Sequence, residues 1–346
     1  MLVIVCGGDG VGKTTLCEKL LAHGNWRTQH FSQPKDMADG KRQYFEFLDT
    51  IKPGEDVLCD RFHDGEWVYA PIYRGYTGDY LAEIEEKMNS LPDPVLLIYV
   101  TADEKDVMHR IGVRGEDFVK DDDHVKVHMN YHKFMRQQTL PFVVINTSKL
   151  NPDAAFGEAS DAIERARKIL TAAKQVKCPC GLTGSRRSTP RGNIDATYAF
   201  IGQNPGHARG HKGMFTRMWT YTPSSTVLAE ALDEADITLD VWFTNAVLCE
   251  TEDNTVSGQQ VSACSDRLKA EVEQVCPQVI VALGKKAYSA CVRAGFDGKY
   301  KLIGLEHPTH AKRFDNVPAF KASVKAVVDD YGFTRAVLGA WSFREG

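Results

Sequence analysis

The sequence predicts an α/β protein of two domains, each a parallel β-sheet covered by helices. Three observations carry that prediction. The chain has 346 residues, more than one core of ordinary size holds. Short β-branched apolar bursts alternate with longer helical patterns, as in parallel sheets buried on both faces. A basic, turn-rich stretch at 178–192 divides two such alternating series, which sets the expected domains at 1–174 and 175–346.

In the first series the strand-like bursts are Leu2–Cys6, Val57–Cys59, Val95–Val100 and Phe142–Ile145, with helical patterns at Leu81–Ser90 and His124–Met135. A segment rich in Ala, Glu, Arg and Lys at about Asp153–Lys174 closes it. In the second series the bursts are Tyr198–Ile201, Val241–Asn245, Gln278–Leu283 and Lys301–Leu305. Helical patterns at Ser225–Asp236, Gly258–Val275 and Lys285–Ala294 fill the gaps.

Composition bounds the function. Hydrophobic residues at 43% and charged residues at 25% exclude a disordered or collagenous chain. Lys and Arg total 42 against 46 Asp and Glu, a formal charge of −4, so a nucleic-acid surface has to be a local patch. No apolar run approaches the roughly 18 residues of a membrane span. The N-terminal apolar run lacks a basic flank and enters a glycine loop, so a strand is expected there and a cytoplasmic location for the chain. In that compartment the nine cysteines are expected to be packing residues, reactive thiols or metal ligands, not disulfides.

The glycine loop Gly7-Gly8-Asp9-Gly10-Val11-Gly12-Lys13-Thr14-Thr15 fits G-x-x-x-x-G-K-[ST] between a strand and a helix. In such a loop the backbone N–H groups and the helix N-terminus cradle phosphates. Lys13 then reaches the β/γ oxygens of ATP, and Thr14 ligates Mg²⁺. Asp60 and Arg61 follow the next buried strand, where a carboxylate holds Mg²⁺ or polarises an acceptor hydroxyl and an arginine neutralises phosphate charge. Arg110 and Arg114 flank Ile-Gly-Val in a polar segment running into Asp121-Asp122-Asp123, suited to closing over ATP and presenting guanidinium groups to the transferring phosphoryl.

These motifs resemble those of thymidylate-kinase-like P-loop kinases over residues 1 to about 172. The resemblance implies a three-layer α/β/α kinase in which Asp9 contacts the acceptor sugar and Arg61 lies near the acceptor. Thymidylate kinases carry an Arg-Glu-Pro element whose arginine holds the acceptor's monophosphate. Here the corresponding stretch is Phe31-Ser32-Gln33-Pro34-Lys35, without that arginine, and Lys35 is at most a point charge in its place. The run from Glu66 to Arg74 offers aromatics and a cation able to stack on a base.

In the second series a polar group follows each of three strands: Gln203 and Asn204, then Asn245, then His307. Loops beyond the carboxyl ends of parallel strands converge on one crevice. An Asn amide matches an edge of a pyrimidine, a neutral His donates to a carbonyl, and Phe215 is near enough in sequence to stack. In order, these motifs resemble the uracil-DNA glycosylase superfamily over about residues 176–330, which implies an α/β/α domain with a parallel central sheet.

Cys178, Cys180, Cys249 and Cys264 fall where the iron–sulfur branch of that superfamily places four ligands, which implies a [4Fe–4S] cluster. The spacing of the first pair here is C-x-C, not the branch's C-x-x-C, and zinc or reduced thiols are the alternatives. Cys6, Cys17, Cys59, Cys276 and Cys291 are expected to be packing residues. The branch's acidic residue is replaced by Gln203-Asn204. Because Asn cannot act as a general base, binding of an extruded base is favoured over cleavage. Arg186, Arg187, Arg191, Arg209, Lys212 and Arg217 are the expected DNA phosphate contacts.

Both resemblances concern 5-substituted deoxyuridines. Bacterial viruses with hypermodified thymine carry kinases that this chain resembles, and those kinases phosphorylate 5-hydroxymethyl-deoxyuridine in DNA. The resemblance therefore implies that activity, with the second domain reading the base in DNA. The alternatives are a dTMP or dNMP kinase joined to an active uracil-DNA glycosylase, or an ATP-switched DNA-binding module.

Overall fold

The computed structural model describes residues 1–29, 31, 33–78, 80–114, 123–174, 180–181, 188–205, 223–251 and 255–331. Its two compact units, Met1–Ala166 and Arg167–Arg335, divide within the helix Pro152–Lys174. Cys178, Arg186, Arg187, Arg209, Lys212, Phe215 and Arg217 lie outside the described residues, as does the Arg114 side chain.

The first unit is built on strands β1 (Leu2–Cys6), β2 (Arg27–Gln29), β3 (Val57–Asp60), β4 (Val95–Thr101) and β5 (Pro141–Asn146). They lie in the order β5-β4-β1-β3-β2, every pairing parallel. β1 and β4 are buried along their whole length, as continuous apolar strands in a covered parallel sheet must be. The helices are α1 (Lys13–His23), α2 (Met37–Thr50), α3 (His63–Tyr73), α4 (Leu81–Ser90), α5 (Glu104–Arg114), α6 (His124–Arg136) and α7 (Pro152–Lys174). Asp36 starts α2 by accepting from the Asp39 amide at 2.8 Å. β2, with the sequence Arg-Thr-Gln on the sheet edge, carries no apolar burst and gave no strand signal.

The second unit has strands β6 (Arg191–Asn193), β7 (Tyr198–Gly202), β8 (Val241–Asn245), β9 (Val279–Leu283) and β10 (Lys301–Leu305). β10, β9, β7 and β8 run parallel in that order, and β6 pairs antiparallel with β8. The helices are α8 (Pro223–Glu234), α9 (Gly258–Ala263), α10 (Ser265–Val275), α11 (Lys285–Arg293), α12 (Pro308–Arg313) and α13 (Val317–Tyr331). Tyr198 and Phe200 of β7 and Val279 and Val281 of β9 form one core with Leu228 and Leu232 of α8 and Phe320 and Val324 of α13.

Three expectations are corrected here. The single helix expected over Gly258–Val275 is two helices, α9 and α10, divided at Cys264; a capping box of Ser257 and Gln260 starts the first. Arg191 is 4% exposed within β6, so it cannot track phosphates from the surface. Cys276 is exposed in a left-handed conformation (φ 52°) at the end of α10 and fills no core, whereas Cys6, Cys17, Cys59 and Cys291 are buried. No described helix is long and apolar enough to cross a membrane.

Phe200 is fully buried in the core of the second unit. Phe200→Ala is expected to cost about 3–5 kcal/mol of stability, measured as a lowered midpoint in urea unfolding followed by circular dichroism.

Candidate functional site

In the first unit the chain leaves the central strand β1 and turns over its carboxyl end into α1. Gly10 (φ 75°) and Gly12 (φ 93°) supply the left-handed turns that aim the loop amides inward. At Gly8 the constraint is space, because a Cβ there would lie 2.4 Å from the His128 ring of α6. Lys13 is 6% exposed, and its ammonium donates to the Gly8 carbonyl. Burial pushes its pKa down to about 8; the Arg61 charge adds to this, while Asp9, Asp60 and Asp64 oppose it. Thr14 and Thr15 are exposed on the first turn of α1.

β3 pairs with β1 in a register that sets Asp60 opposite Val5. Asp60 Oδ1 is buried without a hydrogen-bond partner among the described residues. An unsatisfied carboxylate oxygen in the field of Lys13 fits a hard cation that takes oxygen ligands, such as Mg²⁺.

Arg61 adopts φ 65° and bonds Asp9 Oδ1 through its guanidinium, which lies 5.3 Å over the Tyr69 ring. Tyr69 donates to Asp9 Oδ2 at 3.3 Å. Burial raises the Asp9 pKa, but Arg61 and Lys13 outweigh it and hold the carboxyl below its usual range. Beneath this trio Asp64 is fully buried, accepting from the Phe62 amide at 2.7 Å and the Tyr131 hydroxyl at 3.1 Å. His128 is pushed down to about 3 by burial and by Lys13, so its ring is neutral. Arg74 pairs with the buried Glu66, which also accepts from the Tyr76 and Tyr80 hydroxyls. Its cation is therefore ion-paired within the fold.

Arg110 sits against the loop itself. It donates to the Gly10 carbonyl at 3.2 Å, the Thr147 hydroxyl at 2.9 Å and the Thr147 carbonyl at 3.1 Å. Next to it is a cavity of about 450 Å³ lined by residues including Gly12, Thr15, Arg110, Thr147 and Pro152. Thr147, Asp64 and His128 were not singled out in the sequence. For His128 the one available signal is its place in a His-x-x-x-His-x-x-x-His spacing on one face of α6.

In the second unit Gln203 and Asn204 follow β7, Asn245 ends β8, and His307 follows β10, all at one edge of the parallel strands. Gln203 donates to Asn204 Oδ1 at 2.8 Å, while Asn204 Nδ2 donates to the Pro205 carbonyl and Thr251 hydroxyl, both at 3.1 Å. Asn245 lies over Gly202, where a Cβ would be 2.3 Å from Asn245 Oδ1. Its Nδ2 donates to Ser188 at 3.4 Å.

His307 Nδ1 accepts from the Thr309 amide at 3.2 Å, which leaves Nε2 to carry the proton as a donor. Burial holds its pKa down, so the ring is neutral. β9 separates β10 from β7, so the His307 and Asn204 strand ends stand two strand spacings apart, roughly 10 Å. A gap of that width is the size of a flat heterocycle with a contact on either side.

Cys180 Sγ lies 3.6 Å from Cys249 Sγ. Cys249 and Cys264 are buried, and all three are free of disulfides. Two soft sulfur donors in contact fit the donor chemistry of an iron–sulfur or zinc centre, and Cys264 is a buried thiol at the cap between α9 and α10. Among the described residues no group of three metal-ligating side chains is assembled.

Residues 37–154 match the family model for thymidylate kinase, and residues 189–329 match that for the uracil DNA glycosylase superfamily. The type-4 uracil-DNA glycosylase of Thermotoga maritima is 34% identical over 128 residues, 36% of this chain and 62% of that protein. The chain thus spans less than two thirds of that relative's length. The SPbeta prophage-derived protein YorR of Bacillus subtilis is 26% identical over 125 residues, 35% of this chain and 74% of that protein. The crystal structure of YorR in complex with phosphorylated GDP superposes with a TM-score of 0.42 and 22% identity, covering 47% of this chain and 96% of that one.

The Lys13 environment generates a pH prediction. Lys13 must be charged to hold phosphates, and in the free protein it titrates at about 8. Below that pH the ammonium is already protonated; above it, binding must take up a proton. Affinity for ATP is therefore expected to fall by about tenfold per pH unit above 8 and to be flat below 7. Titration calorimetry in buffers of different ionisation enthalpy reads both affinity and proton uptake, and Lys13→Arg is expected to abolish the slope.

Proposed function

We propose that in this chain, a nucleotide-kinase-like domain joined to a uracil-DNA-glycosylase-like domain, the first transfers the γ-phosphoryl of ATP to the hydroxymethyl oxygen of 5-hydroxymethyl-deoxyuridine in DNA. The second reads that base. The carrying observation is the charge arrangement around Asp9. Lys13 belongs to the donor phosphates, and Arg61, the cation on the acceptor side, is held by Asp9 itself. Together with the missing arginine at 31–35, this favours an acceptor that presents a neutral hydroxyl over one that brings its own phosphate.

Phosphoryl transfer passes through a loose transition state, so catalysis is mostly positioning and charge neutralisation. The loop amides and Lys13 hold the β and γ phosphates; Asp60 and Thr14 would hold Mg²⁺, which when bound neutralises charge on those oxygens. Arg110 walls the cavity beside Thr147, which suits the nucleoside of ATP. Asp9, Arg61 and Tyr69 form the acceptor side. Arg114 and the segment after it are the proposed closure over the donor.

In the second domain Asn245 and Asn204 face a pyrimidine from one side and the His307 Nε2 proton from the other, with Phe215 proposed to stack on it. Asn204 offers no carboxylate to activate water, so recognition is favoured over cleavage. Cys178, Cys180, Cys249 and Cys264 would hold a [4Fe–4S] cluster, whose thiolate bonds tie their loops together. DNA carrying the modified base is the partner, and the cytoplasm of a bacterial host is the setting. A second reading, a dTMP or dNMP kinase joined to an active glycosylase, is favoured by the thymidylate kinase match and by the 34% identity to the Thermotoga glycosylase.

The test incubates the full chain with γ-labelled ATP and either duplex DNA containing 5-hydroxymethyl-deoxyuridine or free dTMP. Label is expected in the DNA, and not in DNA of the same sequence containing thymidine. Label found only in dTDP would overturn the proposal.

A further inference from the structure

The geometry points to Arg267 as the positioning residue that fixes Asn245 for base reading; this rests on the base-reading role proposed for the second domain. β7 pairs with β8 through Gly202–Asn245, whereas the β6 pairing ends at Arg191–Phe243 and Gly192–Trp242, so on the β6 side the end of β8 extends beyond its neighbour. Arg267, in the first turn of α10, bridges the carbonyls at that end. Its Nη2 donates to the Asn245 carbonyl at 2.6 Å and the Ala246 carbonyl at 2.9 Å, while Nη1 reaches the Thr244 hydroxyl at 3.3 Å.

The guanidinium is itself held. It pairs with Glu271 one turn along α10, and Glu271 accepts from the Trp242 indole at 2.8 Å. Arg267 is 13% exposed and Glu271 2% exposed. One planar cation thus ties three consecutive residues of the β8 end to a helix anchored in the core.

The consequence falls on the Asn245 side chain. On the β7 side the Ala246 amide donates to the Gly202 carbonyl at 2.9 Å, and the side chain itself touches Gly202 and Ser188. Arg267 holds the carbonyls, and releasing them would loosen the backbone that carries the Asn245 amide at the edge where Gln203, Asn204 and His307 stand. A lysine can keep the charge pair with Glu271, but as a single point it cannot bridge two carbonyls. Arg267→Lys therefore separates positioning from mere stability.

The test measures binding of the full chain, by fluorescence anisotropy, to oligonucleotides carrying one 5-hydroxymethyl-deoxyuridine, one deoxyuridine or only thymidine. Arg267→Lys is expected to lower the preference for the uracil-type base about tenfold, with thymidine DNA bound within about twofold of wild type and an unchanged melting temperature. Asn245→Ala is expected to remove the preference as well. The double variant should then lose no more than Asn245→Ala alone, because both changes act through one amide. Full preference in Arg267→Lys, or additive losses in the double variant, would overturn the role of Arg267 alone. A wild-type chain with no preference among the three oligonucleotides would remove base reading itself, and this inference with it.

Discussion

Parallel strand pairing decides where chemistry is possible in both units. Strands that all run one way bring their carboxyl ends, and the loops that follow them, to a single edge, while both sheet faces are consumed by helices. In the first unit that edge receives the glycine loop after β1, Asp60 and Arg61 after β3 and Thr147 after β5. In the second it receives Gln203 and Asn204, Asn245, and His307. Asp60, Gln203, Asn204 and Asn245 each end or follow a largely buried apolar strand, whose burial fixes their position, whereas His307 follows the more exposed edge strand β10.

The electrostatics of the first unit follow from the same crowding. Three carboxylates, Asp9, Asp60 and Asp64, converge on a buried lysine and a half-buried arginine. Asp9, Arg61 and Asp64 are engaged by neighbours, down to the Tyr131 hydroxyl on Asp64, whereas Asp60 Oδ1 has no hydrogen-bond partner among the described residues. Arg74, which from sequence alone looked free to meet a ligand, is spent on Glu66. What is left for a substrate is a cradle of amides, one open carboxylate oxygen and an Asp9–Arg61 pair whose net charge is close to zero. On the proposed reading, such a surface takes a triphosphate at one end and offers little to a second phosphate at the other.

The strands that were legible in the sequence are those with apolar runs, most of them buried along their length, with the exposed edge strand β10 as the exception. β2 and β6, three residues each at a polar edge or an antiparallel turn-back, carry no such run. The glycine loop was legible in full because its spacing is dictated by phosphate geometry. Asp60, Arg61 and Asn245 were legible because each ends an apolar strand. His128 and Arg267 were not: each acts from the middle or start of a helix, on a residue far away in sequence, and a lone His or Arg on a helix carries no mark of what it will meet. The break at Cys264 was equally silent, since the helical pattern runs on through it. Arg191 misled because a basic, turn-rich stretch reads as surface, whereas β6 buries it.

The replacement of an acidic residue by Gln203-Asn204 gains its meaning from the other unit. Asn204 has its oxygen taken by Gln203 and its nitrogen by Pro205 and Thr251, so the amide is held rigidly and has no basicity to lend to water. On the proposed reading, a base that is to be phosphorylated in DNA must remain attached to its sugar, and an efficient glycosylase on the same chain would destroy the substrate of its own kinase. A locked amide removes the hydrolytic step, while Asn245 and His307 keep hydrogen-bonding groups for the base. Neutral His307, donating from Nε2, can still grip a carbonyl without stabilising a departing uracil anion by full positive charge. On that reading the kinase would need the glycosylase fold's recognition and would not tolerate its reaction.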